Sequence, residues 1–248
     1  MTENTLKANN FTATSKTPLS PWAVHIRMLA LSTLAILALF WRDAWDMIDT
    51  WWNISTYNHC LLILPILYWM VNQRREELVK ITPTIWAPGL LWMAMASLGW
   101  MLGEAAGVSF AKQLGLIMML QGAVITLLGV TVSRGLIFPL LYSFFLVPFG
   151  EELVPFLQTI TAKMSMILLG WANVPAFIEG IFISTPTGYF EVAEACSGIE
   201  FLIAMVAYGA LVSNVCFQSW NRRILFMIAV VIVPVVANGI RAFGTIYI

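Results

Sequence analysis

Charge is what this 248-residue sequence has least of. Lys and Arg number 13, Asp and Glu number 13, and together they make up 10% of the chain, with two histidines and a formal net charge of zero. No nucleic-acid partner is implied, because phosphate binding calls for an excess of clustered cations. Cysteine is scarce as well. Cys60, Cys196 and Cys216 show neither metal-ligand spacing nor a disulfide framework, so no metal and no cofactor is implied. Internal repeats, low-complexity tracts and a cleavable signal peptide are missing too. What remains is apolar: 60% of the residues are hydrophobic and the mean hydropathy is +0.83. A soluble domain of this length cannot hide so much apolar surface, so the chain belongs in a membrane.

The apolar residues come in runs of spanning length, which predicts an all-α polytopic helical bundle and not a barrel. The polar start, Met1 to Pro21, reads as a disordered cytoplasmic tail, leaving residues 22–248 as one transmembrane domain. The runs are Val24 to Trp41, His59 to Val71, Ile85 to Gly103, Gln113 to Val132, Leu136 to Phe149, Ile199 to Phe217, and Ile224 onward, about seven transmembrane helices. Lys7, Lys16 and Arg27 precede or open the first run. Arg74, Arg75 and Lys80 follow the second, Arg134 follows the fourth, and Arg222 and Arg223 precede the last. The positive-inside rule places all of these on the cytoplasmic side and gives a self-consistent alternation. The opposite loops carry Asp46, Asp49 and Glu104, with Trp45, Trp51 and Trp52 suited to an interface. Phe156 to Trp171 breaks the count. Leu157, Ile160, Met164, Ile167 and Trp171 share one helical face, which predicts an amphipathic helix at the outer interface and not a crossing.

The stretch with chemistry in it is Glu191 to Glu200, Glu-Val-Ala-Glu-Ala-Cys-Ser-Gly-Ile-Glu. It sets Cys196 on a polar, small-residue turn just ahead of an apolar helix. The free N–H groups and the dipole at a helix start favour a thiolate there. Ser197 is placed to cap the helix, and Gly198 permits close approach of another backbone or a substrate. Glu200, one turn beyond Cys196, is placed to orient a partner. A second reading is open, in which Cys196 is a small apolar packing residue. Arg241 lies 18 residues past Arg223, roughly 27 Å along a helix, and so returns to the outer level of Cys196. It either snorkels to the headgroups or organises a site. Asn238, on the same face, favours a site. His59 also lands on the outer side, and His25 on the inner side. Cys60 is on the outer side and within reach, in principle, of pairing with Cys196.

Thr185 to Ile199, which contains Ala-Cys-Ser-Gly, followed by a helix and then Asn238-Gly-Ile-Arg241, resembles the exosortase/archaeosortase family. Tyr57-Asn-His59, the Val147-Pro-Phe-Gly-Glu-Glu segment and Glu179-Gly-Ile extend the similarity from about Trp51 to the end of the chain. The resemblance implies a multi-pass inner-membrane cysteine transpeptidase with its active site at the periplasmic face. Its partners would be C-terminal sorting tails of secreted proteins (a Pro-Glu-Pro motif, a hydrophobic helix and a basic end), membrane lipid, and an unidentified acceptor nucleophile. It also implies a link to exopolysaccharide export. The family's cysteine and arginine carry over to Cys196 and Arg241. The family's histidine, which follows the arginine motif, has no counterpart before Ile248, so the sequence reads as truncated at its C-terminus. Two other classes fit the polytopic plan: a transporter, and a non-catalytic assembly factor with a structural Cys196.

Overall fold

The computed structural model describes residues 21–247, so the tail expected over residues 1–20 lies outside the described residues. The chain begins with α1 (Pro21–Leu39), whose first residue has its φ already set for a helix. Next come α2 (Trp41–Asn53), a 3-10 turn at Ser55–Tyr57, α3 (Cys60–Gln73) and the single turn α4 (Arg75–Leu78). The helices α5 (Gly89–Ala106) and α6 (Ser109–Gly135) form a packed hairpin. The short α7 (Ile137–Tyr142) continues into a 3-10 turn at Ser143–Leu146, and α8 (Val154–Trp171) follows. After a small sheet, a 3-10 turn at Glu194–Cys196 leads into α9 (Ile199–Cys216) and α10 (Trp220–Tyr247).

The protein is a multi-pass helical membrane protein. Among the described residues, five helices are long and apolar enough to cross: α1, α6, α9, α10, and α8 with its preceding turn. A sixth crossing exists if α2 and α3, bent by 104°, form one span. The expected seven is not reached. The 14 residues of α3 rise only about 21 Å, less than the apolar core of about 30 Å. Ile137–Leu146 is shorter still.

The two ends of the bundle differ in character, as the run-by-run alternation of charge requires. At one end Arg74 Nη1 donates to the carbonyl of Gly135 at 2.7 Å, and Trp22 Nε1 donates to that of Ile81 at 3.0 Å. Arg223 joins them there, lining a groove with Ile137 and Phe138. At the other end Lys112 bridges Glu104 at 3.0 Å and Asp43 at 3.4 Å, while Trp100 Nε1 donates to Asp43 at 2.8 Å. Trp51 and Cys60 are buried there and donate to the carbonyls of Leu146, at 2.9 Å, and Phe145, at 3.3 Å. Lys112 is thus matched by two carboxylates, Glu104 and Asp43.

Two expectations need correction. The fold is not purely α: β1 (Phe177–Glu179), β2 (Phe182–Thr185) and β3 (Gly188–Glu191) form an antiparallel sheet in chain order. Its register pairs Ile178 with Ile183 and Ile183 with Phe190. Strands of three and four residues give too little alternation to read in sequence. The second correction concerns α8. Its apolar stripe exists, but the polar residues are the more deeply buried: Gln158, Thr161 and Ser165 are 8%, 1% and 0% exposed, against 55% for Ile167 and 78% for Trp171, with Leu157 the buried member of the stripe. A helix lying at a water interface would show water its polar face. Here the polar side turns toward α10 and the cysteine turn, and Leu169 and Ala162 pack with Ile183, Val192 and Phe243.

Candidate functional site

The site is built where the turn before α9 meets the far part of α10. Gly198 starts α9 with a φ of 82°, in the left-handed region, and a Cβ there would sit 2.6 Å from Asn238 Cγ. Only glycine supplies both the backbone conformation and the room. Ser197 is buried, and its hydroxyl accepts the N–H of Ile199 at 3.3 Å; the N-cap of α9 is Gly198, so the expected side-chain cap by Ser197 is not formed. The 3-10 turn itself is closed by Cys196 N–H to Ala193 O at 2.8 Å and Ser197 N–H to Glu194 O at 2.9 Å.

Asn238 is the hub. It is 4% exposed, and its Nδ2 donates to Cys196 O at 2.8 Å and to Thr161 Oγ1 at 3.0 Å. Its Oδ1 accepts from Arg241 Nη2 at 3.0 Å, and that same nitrogen reaches Ala195 O at 3.3 Å. The guanidinium lies 5.3 Å from the centroid of Phe201 on α9, a cation–π distance. A lipid-seeking arginine needs none of these contacts. Both N–H groups and the oxygen of the buried amide have partners at this junction, as a buried polar group requires. Cys196 is half-buried, its side chain against the cluster of Ala162, Leu169, Ile183 and Val192. Among the described residues its sulfur has no hydrogen bond and no disulfide. Arg241 and Asn238 therefore grip the backbone that carries the thiol and leave the sulfur unengaged.

His59 and Glu200 belong to the same end but to a neighbouring arrangement. Glu200 accepts a short hydrogen bond from Ser55, tying α9 to the 3-10 turn before α3. His59 ends that loop, half-buried, with Nδ1 at 3.0 Å from Thr56 O and Nε2 at 3.8 Å from Cys60 Sγ. Burial pushes its pKa below the ordinary 6.5. No contact joins His59 to Cys196 among the described residues. Cys60 is fully buried and spent on the Phe145 carbonyl, which leaves it poorly placed for a disulfide. Between these groups lies a cavity of about 540 Å³ whose wall includes Tyr57, Glu151, Gln158, Glu194, Ala195 and Glu200. It opens beside the cysteine turn, with Tyr57 and Glu151 both on its wall.

Sequence reasoning brought Cys196, Ser197, Gly198, Asn238 and Arg241 together, and the structure does the same. It missed Gln158, whose Nε2 donates to Val192 O at 2.8 Å, together with Thr161 and Phe201. The available signal was the polar stripe Gln158, Thr161, Ser165 at helical spacing in an apolar segment. Comparison with known proteins gives one match: the model of the family described as "Transmembrane exosortase" covers residues 51–248. No curated protein and no solved structure matches the chain.

Proposed function

The chain belongs to the transmembrane exosortase family, and from that premise we propose that it is a membrane-embedded cysteine transpeptidase with Cys196 as nucleophile. Its substrates are C-terminal sorting tails of secreted proteins, and its work serves envelope and exopolysaccharide sorting. The observation that carries the reading is the grip of Asn238 and Arg241 on the carbonyls of Cys196 and Ala195. Two motifs more than 40 residues apart converge on the one turn that presents a thiol, and the thiol is left free.

The Cys196 thiolate attacks the scissile carbonyl, and the negative charge moves to the carbonyl oxygen. Arg241 has five N–H donors, and those not used on Ala195 and Asn238 are assigned to that oxyanion. The C–N bond then breaks: the leaving nitrogen takes a proton from solvent water and the tail departs as an amine, with its acyl partner held on Cys196 as a thioester. An acceptor nucleophile, or water, attacks the thioester and returns the thiolate. The positive-inside rule puts this end of the bundle at the periplasmic face of the inner membrane, where exported substrates arrive.

The direct test is processing of a tail-bearing protein in cells. Cys196→Ser should accumulate uncleaved precursor at a normal level of inserted enzyme, and Cys216→Ser, at the opposite end of α9, should process normally. Wild-type processing by Cys196→Ser would leave the protein a scaffold.

A further inference from the structure

The buried polar face of α8 takes no part in the chemistry above, yet it touches the cysteine turn twice. Gln158 Nε2 donates to Val192 O at 2.8 Å, just before the turn. One helical turn on, Thr161 Oγ1 accepts the Asn238 Nδ2–H at 3.0 Å, and the same amide holds Cys196 O at 2.8 Å. Residues 158 and 161 share a helix face. The segment from Val192 to Cys196 is thus tethered to α8 at its start directly and at its end through Asn238. Burying an amide and a hydroxyl is unfavourable unless they find partners, and both find them at the thiol-bearing segment. Ser165, the next residue along this face, is fully buried as well, but its hydroxyl has no partner among the described residues. It supplies an internal comparison.

We infer that Gln158 and Thr161 are positioning residues for Cys196. They act through the carbonyl of Val192 and through Asn238, and they set the placement of the thiol relative to the bound tail. Thr161 gives the second N–H of the Asn238 amide a place to go. Without it a buried donor is orphaned, and the amide that fixes Cys196 and Arg241 loses one of its three anchors. This inference rests on the reading of Cys196 as nucleophile, and the experiment separates the two.

The test uses the full-length enzyme in membranes, with two readouts: processing of a tail-bearing substrate, and alkylation of Cys196 by maleimide as a function of pH. Thr161→Val keeps the shape and removes the acceptor. It should lower the saturated processing rate about tenfold, leave the half-saturating substrate concentration unchanged, and move the alkylation midpoint. Thr161→Ser should restore both readouts. Gln158→Met, which keeps the size and removes the donor to Val192, should repeat the Thr161→Val pattern and serves if that variant does not insert. Ser165→Ala should change neither readout. The inference is overturned if Thr161→Val or Gln158→Met, once inserted, is silent in both, or if Ser165→Ala slows processing as much as they do. If Cys196→Ser still processes, the nucleophile reading fails first. If Cys196→Ser is inactive and the α8 variants are silent, only the positioning role fails.

Discussion

The helix α10 carries an arginine near each end, and the two are held in opposite ways. Arg223 stacks over Trp220 at 5.2 Å and gives its Nε–H to Phe217 O at 2.8 Å, both within six residues of itself. Arg241 stacks over Phe201 on another helix and donates to Ala195, 46 residues away, as well as to Asn238. The first set of contacts is what an interfacial arginine makes wherever it lies. The second exists only because the chain folds back on itself. The cysteines at the two ends of α9 repeat the contrast: Cys216 is exposed at the Arg223 end, and Cys196 is half-buried at the Arg241 end, on a turn held from α8 and α10. A charged residue in a membrane helix thus becomes informative through the sequence separation of its partners, more than through its charge.

The contrast can be broken most severely at Gly198. Alanine there meets both a left-handed φ of 82° and Asn238 Cγ at 2.6 Å, so the turn must shift. Displacing a nucleophile by about 1 Å is enough to cost about 100-fold in rate. Processing by Gly198→Ala should fall at least that far, whereas Gly99→Ala, with nothing within 4 Å of the added carbon, should be silent. Arg241→Lys comes next. Lysine keeps the charge but loses the planar fork that reaches Ala195 and Asn238 together, and processing should fall by up to about 100-fold. Arg223→Lys, with only local partners, should stay within about twofold. Equal effects at the two arginines would erase the distinction.

The smallest effect concerns pH. The His59 pKa is lowered by burial in the folded protein, so the unfolded chain binds more protons there as pH falls toward and below 6.5. Stability linked to this group is therefore complete above the unfolded value and lost on acidification through it. The thermal midpoint of the detergent-solubilised protein should fall modestly from pH 7.5 to about 5.5. His59→Asn should flatten that part of the slope, and an unchanged slope would remove His59 from the account.

Much of this was legible in the chain because a membrane makes polar residues conspicuous. Arg241 and Asn238 stand out in an apolar run, and the arrangement of Lys and Arg between runs correctly grouped Arg74 and Arg223 at one end. The small sheet was not legible, since Phe177–Glu179 is too short to show a period. For α8 the periodicity was found, but which face is buried cannot be taken from it. In water the apolar stripe turns inward, and beside lipid the polar stripe does, as Gln158, Thr161 and Ser165 do here. The bond between Thr161 and Asn238 spans 77 residues and leaves no local trace. The helix count of seven is not confirmed: α3 and the Ile137–Leu146 segment are apolar but too short to cross alone, and α5 falls outside the crossing-capable set whereas α8 falls within it.

The central claim, that the thiol held by Asn238 and Arg241 carries the acyl group, is tested most directly by trapping the covalent intermediate. A tail-bearing substrate incubated with the membrane-inserted enzyme and quenched in acid should yield an enzyme–substrate adduct that hydroxylamine releases. Peptide mass analysis should place it on Cys196. It should be absent in Cys196→Ser and unchanged in Cys216→Ser. An adduct on another residue, or undiminished cleavage by Cys196→Ser with no adduct, would contradict the account.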